Sequence, residues 1–247
     1  MRGFLLGGWL LFCALFARGQ EPAVALHWLD AGFAPGGARF QVVFDFSDMR
    51  VLPEAQLKPP LRDLPAPRVI SEASRWKAAE GATARLDLCC LKWPTGPREI
   101  TLAVARLQLS NPTAKPFQTT LSVAIAPRGN GLRNLAFERH AISSEGNLIL
   151  VADTPSRGAI LAESPFASRP LSPQDSAHVE SPKGECRGEV IYDLALPPGQ
   201  TQTMGFIAPV RLPKGTEPAL DFYRELTVDH LFAEAQKQSE AKEGSKP

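Results

Sequence analysis

Prolines punctuate this chain: all 23 fall after residue 19 and recur every few positions. Proline has no backbone N–H to donate and its ring clashes with the preceding helical turn, so this spacing disfavours long helices and favours short strands joined by turns. Between the prolines, apolar residues alternate. Residues 39–46 read RFQVVFDF, with Phe40, Val42, Phe44 and Phe46 in phase, the period of a half-buried strand. Residues 85–93, RLDLCCLKW, set Leu86, Leu88 and Cys90 on one face before Pro94 and Gly96 end the run.

Three stretches read as strand pairs. Alternating runs at 100–109 and 117–125 flank the turn chemistry of Asn111-Pro112-Thr113-Ala114-Lys115-Pro116. Residues 135–142 and 148–151 enclose Ser144-Glu145-Gly146-Asn147, and 189–196 lead through Pro197-Pro198-Gly199 into 201–209. A short strand is expected at 158–162, with loops at 51–67 and 164–184. Only 220–237 carries helical spacing, through Phe222, Leu226, Leu231 or Phe232, and Ala235. Residues 238–247 are polar and expected to be disordered. The pattern therefore predicts an antiparallel two-sheet β-sandwich over 20–219 and one C-terminal amphipathic helix over 220–237.

The first nineteen residues predict export. Arg2, an apolar run from Phe4 to Phe16 and the small residues of Ala17-Arg18-Gly19 have the order of a secretory signal, with cleavage expected before Gln20. The run ends at Arg18, short of the roughly 20 apolar residues a membrane span needs, so no span is expected after signal removal. A periplasmic or extracellular bacterial protein is the expectation. The chain holds 27 basic and 26 acidic residues, and the signal removes Arg2 and Arg18 but no acid. Such a near-neutral remainder offers no electrostatic footprint for nucleic acid.

No catalytic residue is assigned by motif. His27, His140, His178 and His230 are isolated, without the H-x-H or H-E-x-x-H spacing of a metal site, so neither metal nor cofactor is expected. There is no G-x-S-x-G elbow. Gly129-Asn130-Gly131 lacks the G-K-S/T ending of a phosphate loop and reads as a turn. Glycoside hydrolysis needs two carboxyl groups about 5 to 9.5 Å apart. Asp45 with Asp48, or Glu185 with Glu189, offers itself, but strand residues three apart point to opposite faces and those four apart are too distant for retaining geometry.

Three cysteines follow the signal. Cys186 is expected either to bridge to Cys89 or Cys90, or to join them as a reduced core residue. Sugars can also be held by stacking on an aromatic face. Trp28 and Trp93 adjoin apolar strand residues and read as core. Trp76, in the polar setting Ser74-Arg75-Trp76-Lys77, is the candidate ligand-binding platform, against the competing reading of burial at the sandwich edge.

Residues 107–127 (LQLSNPTAKPFQTTLSVAIAP), 192–210 (YDLALPPGQTQTMGFIAPV) and 221–238 (DFYRELTVDHLFAEAQKQ) resemble, in order and style, the N-terminal sandwich region of secreted bacterial six-hairpin glycosidases of the glucoamylase and debranching-enzyme kind. The resemblance implies that the last segment is a linker helix leading to an α/α toroid. The chain reaches Pro247 about where that toroid would begin, so no catalytic carboxylate can be carried over. The functional expectation is a secreted, non-catalytic, carbohydrate-associated ancillary or scaffolding module, with a polysaccharide or a separate catalytic protein as partner. The alternatives are a glycoside hydrolase using carboxylates assembled by the fold, and a structural envelope protein that binds another protein.

Overall fold

The structure, a computed structural model, describes residues 25–29, 31–52, 63–95, 98–128, 131–163, 172–210, 222–223 and 225–244. The expected signal, residues 1–19, lies outside these, as do 53–62, 164–171 and the tail residues 245–247.

The strands are β1 (Leu26–Leu29), β2 (Gly32–Pro35), β3 (Phe40–Phe46), β4 (Met49–Val51), β5 (Asp63–Leu64), β6 (Arg68–Ala78), β7 (Thr83–Thr95) and β8 (Arg98–Ser110). They continue with β9 (Phe117–Pro127), β10 (Asn134–Glu138), β11 (Ala141–Ser144), β12 (Asn147–Ala152), β13 (Gly158–Glu163), β14 (Ser176–Glu180), β15 (Cys186–Leu196) and β16 (Thr201–Pro209). The helix α1 spans Val228–Gly244. Seven strands form one antiparallel sheet in the order β13-β15-β9-β3-β2-β1-β5, and nine form the other in the order β14-β10-β11-β12-β16-β8-β7-β6-β4. This is the expected two-sheet sandwich with a C-terminal helix.

Alternation built the inner faces. Phe40, Val42, Phe44 and Phe46 are all buried, as are Leu121, Val123 and Ile125 of β9 and Leu86, Leu88 and Cys90 of β7. Aromatic contacts join the sheets: Phe44 packs edge-on against Phe206 of β16 with ring centroids 5.1 Å apart, and Tyr192 meets the same ring at 6.0 Å. Each such side chain removed from water contributes about 1.5–3 kcal/mol.

Two expected hairpins are not hairpins. β8 lies in the nine-stranded sheet and β9 in the seven-stranded one, and β15 and β16 are divided in the same way. The segments 111–116 and 197–200 therefore cross between sheets side by side, while β8 pairs with β16 and β9 with β15. Asn111 stitches the two crossings. Its buried amide nitrogen donates to the carbonyls of Lys115, Leu196 and Pro197, and its backbone N–H donates to the Gln200 carbonyl. A six-residue link rich in Asn and Pro suits either geometry, so local turn chemistry did not distinguish them.

Other boundaries shift for identifiable reasons. The expected strand 135–142 is broken into β10 and β11 by a turn at Arg139, which adopts φ 58°. The Ser144-Glu145-Gly146-Asn147 hairpin is as expected, with positive φ at both Glu145 and Gly146 matching the twist of a tight hairpin. β14 occupies part of the expected 164–184 loop. β6 carries no continuous alternation in the sequence because a bulge between Ile70 and Ser74, with Glu72 at φ 56°, resets its phase halfway along.

The middle of the nine-stranded sheet, at β7, β8 and β16, is buried on both faces. Cys89, Leu91, Leu102, Val104 and Ile207 point away from the other sheet and pack against Val228, Leu231, Phe232 and Ala235 of α1. This accounts for the near-continuous apolar run of β7, since a strand covered on both sides has no polar face. The helix starts at Val228 rather than at 220: the Thr227 carbonyl accepts the first intrahelical bond from Leu231 N–H, and Asp229 lies in the first turn, where the helix dipole favours a negative charge. It also runs beyond 237 to Gly244, through residues expected to be disordered. Glu, Ala and Lys there are good helix formers, and Gln238 and Glu243 tie it to the sheet.

A polar row anchors the start of α1. Asp87, Arg106 and Gly205 are cross-strand neighbours on the outer face. Buried Asp87 accepts from Arg106 at 2.9 Å and from the Glu72 backbone N–H at 2.8 Å. Arg106 reaches on to Asp229 at 2.9 Å and lies over the Phe232 ring at 4.4 Å. Burial would lower the pKa of Arg106, but its hydrogen bonds to Asp229 and Asp87 outweigh that and raise it. Gly205 has no side chain because the Asp153 carboxylate and Val228 occupy the position a Cβ would take. Farther along, the Gln238 amide bonds both the N–H and the carbonyl of Lys92, at 3.2 and 2.9 Å, like an added strand residue.

Candidate functional site

The seven-stranded sheet leaves the outer face of β3, β9 and β15 partly open to solvent, and a hollow lies there. Three neighbouring strands build it. The Ser47-Asp48 turn after β3, the start of β9 and the end of β15 converge on a groove of about 460 Å³ lined by Asp48, Gln118, Thr119, Thr120, Asp193, Leu194 and Ala195. Strand register sets the rows, with Thr120 opposite Asp193 and Gln118 opposite Ala195. Because side chains alternate, Leu121 and Leu194 enter the core while Gln118, Thr120, Asp193 and Ala195 face outward.

Hydrogen bonds fix the groove walls. The Ser47 hydroxyl donates to Asp48 and accepts from the Thr120 N–H at 3.2 Å, and Ser47 N–H donates to the Thr120 carbonyl at 3.0 Å. The Thr120 hydroxyl donates to Asp193 at 3.4 Å, and Arg157 approaches the other oxygen of Asp193 at 3.6 Å. Hydroxyls of Ser47 and Thr119 lie 3.4 Å apart. The floor is therefore rigid backbone ladder, and the walls present two carboxylates, the Thr120 hydroxyl and the Gln118 amide, while Thr119 is buried in phase with Leu121.

The structure disperses most residues singled out from the sequence. Trp76 is 1% exposed and packs edge-on against Phe46, so it is core and presents no platform. Its polar setting was strand alternation: Arg75 and Lys77 are exposed on either side of a buried residue. Trp93 meets His230 of α1 at 5.4 Å, and the side chain of Trp28 lies outside the described part. Among the described residues no aromatic side chain is exposed.

Cys89, Cys90 and Cys186 are unbonded and buried, so the expected bridge is absent and the reading as reduced core residues stands. Cys89 faces α1, Cys90 faces the inter-sheet core, and Cys186 belongs to the other sheet. Burial, followed in effect by the neighbouring Cys90, pushes the Cys89 thiol well up, and burial raises Cys90 to about 12 despite Arg68 and Lys242 nearby. Neither is a thiolate nucleophile at neutral pH.

The carboxylate pairs taken from spacing do not form a site. Asp45 stands across from Ser122 on the open face, Glu189 accepts from the Ser122 hydroxyl at 3.4 Å, and Glu185 bridges to Leu132. The fold instead brings Asp48 to the same groove as Asp193, far along the chain. No local signal could have paired them, because their approach depends on β9 lying between β3 and β15. Among the described residues no three His, Cys, Asp or Glu side chains gather to hold a metal ion, and no helix is long and apolar enough to cross a membrane.

No family model matches the chain, and no curated protein matches it. Among solved structures it is similar to a chain described as a kojibiose phosphorylase from the human microbiome, at 8% identity and a TM-score of 0.33. The match covers 88% of this chain and 38% of that one, and at that score it bears on neither the groove's ligand nor its chemistry.

Proposed function

We propose that this chain is an exported, non-catalytic β-sandwich protein that binds carbohydrate through the groove between the β3 turn, β9 and β15. The observation that carries the reading is the lining itself. Hydroxyl-rich ligands both donate and accept hydrogen bonds, and the amide of Gln118, which does both, with the hydroxyl oxygen of Thr120 and the carboxylates of Asp48 and Asp193, which accept, offer both capacities on a rigid sheet. Such sites need few polar groups if they are fixed in place, and here backbone pairing and the Ser47 hydrogen bonds fix them. With no aromatic side chain lining the groove, recognition there proceeds by hydrogen bonding rather than stacking. The resemblance of 107–127 and 192–210 to the sandwich region of six-hairpin glycosidases agrees with an ancillary role beside a separate catalytic protein.

Calorimetric titration of the purified chain with soluble α- and β-glucans, mannans and xylans tests this, alongside an assay for released reducing ends. Saturable heat that weakens in Gln118→Ala and Thr120→Val, without new reducing ends, is expected. Hydrolysis abolished by Asp48→Asn would replace the non-catalytic reading with the glycosidase one. Absence of heat across the panel would remove the carbohydrate reading in favour of a protein-binding envelope role.

A further inference from the structure

The groove's polarity narrows which saccharides it can admit, an inference that rests on the carbohydrate reading above. An ionised carboxylate has no proton to give, and each accepts hydrogen bonds at about four lone-pair positions. Asp48 follows β3 and Asp193 lies on β15, so the two flank the β9 residues from either side. Asp193 receives the Thr120 hydroxyl and Arg157, and Asp48 receives the Ser47 hydroxyl, leaving acceptor positions on both. Thr120 directs its proton to Asp193, so what its oxygen still offers a ligand is lone pairs. Gln118 supplies the amide donor. Acceptors thus predominate, and they carry negative charge on both flanks.

We infer that the groove selects saccharides presenting paired hydroxyl or ammonium donors, and excludes acidic glycans. Two adjacent sugar hydroxyls can donate to the two oxygens of one carboxylate, a charge-assisted arrangement stronger than a neutral pair. A uronate or sulfate ester brings more acceptors and a like charge within a Debye length, about 10 Å at 0.1 M salt. Arg157 is already paired with Asp193 and so compensates this only in part.

The test compares the best neutral oligosaccharide of the panel with a chitosan oligomer and an oligogalacturonate of the same length, at low and high salt. The expected result is at least about tenfold weaker binding of the galacturonate at low salt, a gap that narrows with salt because exposed charges are screened. The double variant Asp48→Asn, Asp193→Asn should lose that preference, since each amide adds a donor and removes a charge. Thermal unfolding of the variant confirms that it remains folded. Equal binding of neutral and acidic oligomers, or a preference that survives in the double variant, would overturn the selectivity while leaving carbohydrate binding intact. Binding of none of the three removes both.

Discussion

The two outer faces of the sandwich have opposite fates. The nine-stranded sheet turns Cys89, Leu91, Leu102, Val104 and Ile207 outward, and α1 covers them. The seven-stranded sheet turns Gln118, Thr120, Ser122, Asp193 and Ala195 outward, and solvent meets them. Both sheets use the same inner alternation, so what separates a covered face from an open one is the residue type at every second position. Polar groups show the same division. On the covered face, Asp87 is satisfied by Arg106 and the Glu72 N–H and serves to seat a helix; on the open face, Asp48 and Asp193 each accept one side-chain hydroxyl and stay exposed.

The largest effect that sharpens this contrast is alkaline destabilisation through the two sides of β7. Cys90 is held neutral to about 12 in the fold but ionises near its ordinary value of 9.0 when unfolded. Between those values the unfolded chain binds fewer protons than the folded one, so stability falls as pH rises, fully present below 9 and lost toward 12. The cost approaches about 4 kcal/mol. Urea unfolding across that range should show a shallower decline in Cys90→Ala, and equal slopes would refute the assignment.

Next is the polar row beneath α1. Asp87→Ala leaves Arg106 without its buried partner and should cost about 3 kcal/mol, whereas Asp229→Ala, at an 80% exposed carboxylate, should cost under about 1. Chemical denaturation of both variants measures the difference, and a larger loss at Asp229 would reverse the picture. Gly205→Ala places a methyl group where Val228 and Asp153 already stand, for an expected loss of about 1–3 kcal/mol and weakened helix docking in hydrogen exchange. Unchanged protection in α1 would argue against it.

The smallest effect belongs to the open face. Asp193→Asn should shift stability by no more than about 0.5 kcal/mol, since its contacts are surface ones. A loss comparable to that of Asp87→Ala would mean that the two faces are not divided as described.

Local pattern set much of this molecule in advance. The burial of Phe40, Val42, Phe44 and Phe46, the strands β7, β8, β9, β15 and β16, the Glu145-Gly146 turn and the presence of a C-terminal helix all follow from period and turn chemistry, which act between neighbours in the chain. Tertiary structure decided the rest. Whether Asn111-Pro112 and Pro197-Pro198-Gly199 fold a hairpin or cross between sheets, whether Trp76 lies in or out after the bulge at Glu72, and whether Asp48 and Asp193 line one groove all depend on which distant strands pair. Pairing is settled by burying one continuous core between the sheets and a second beneath α1, a global sum that no short window of sequence contains.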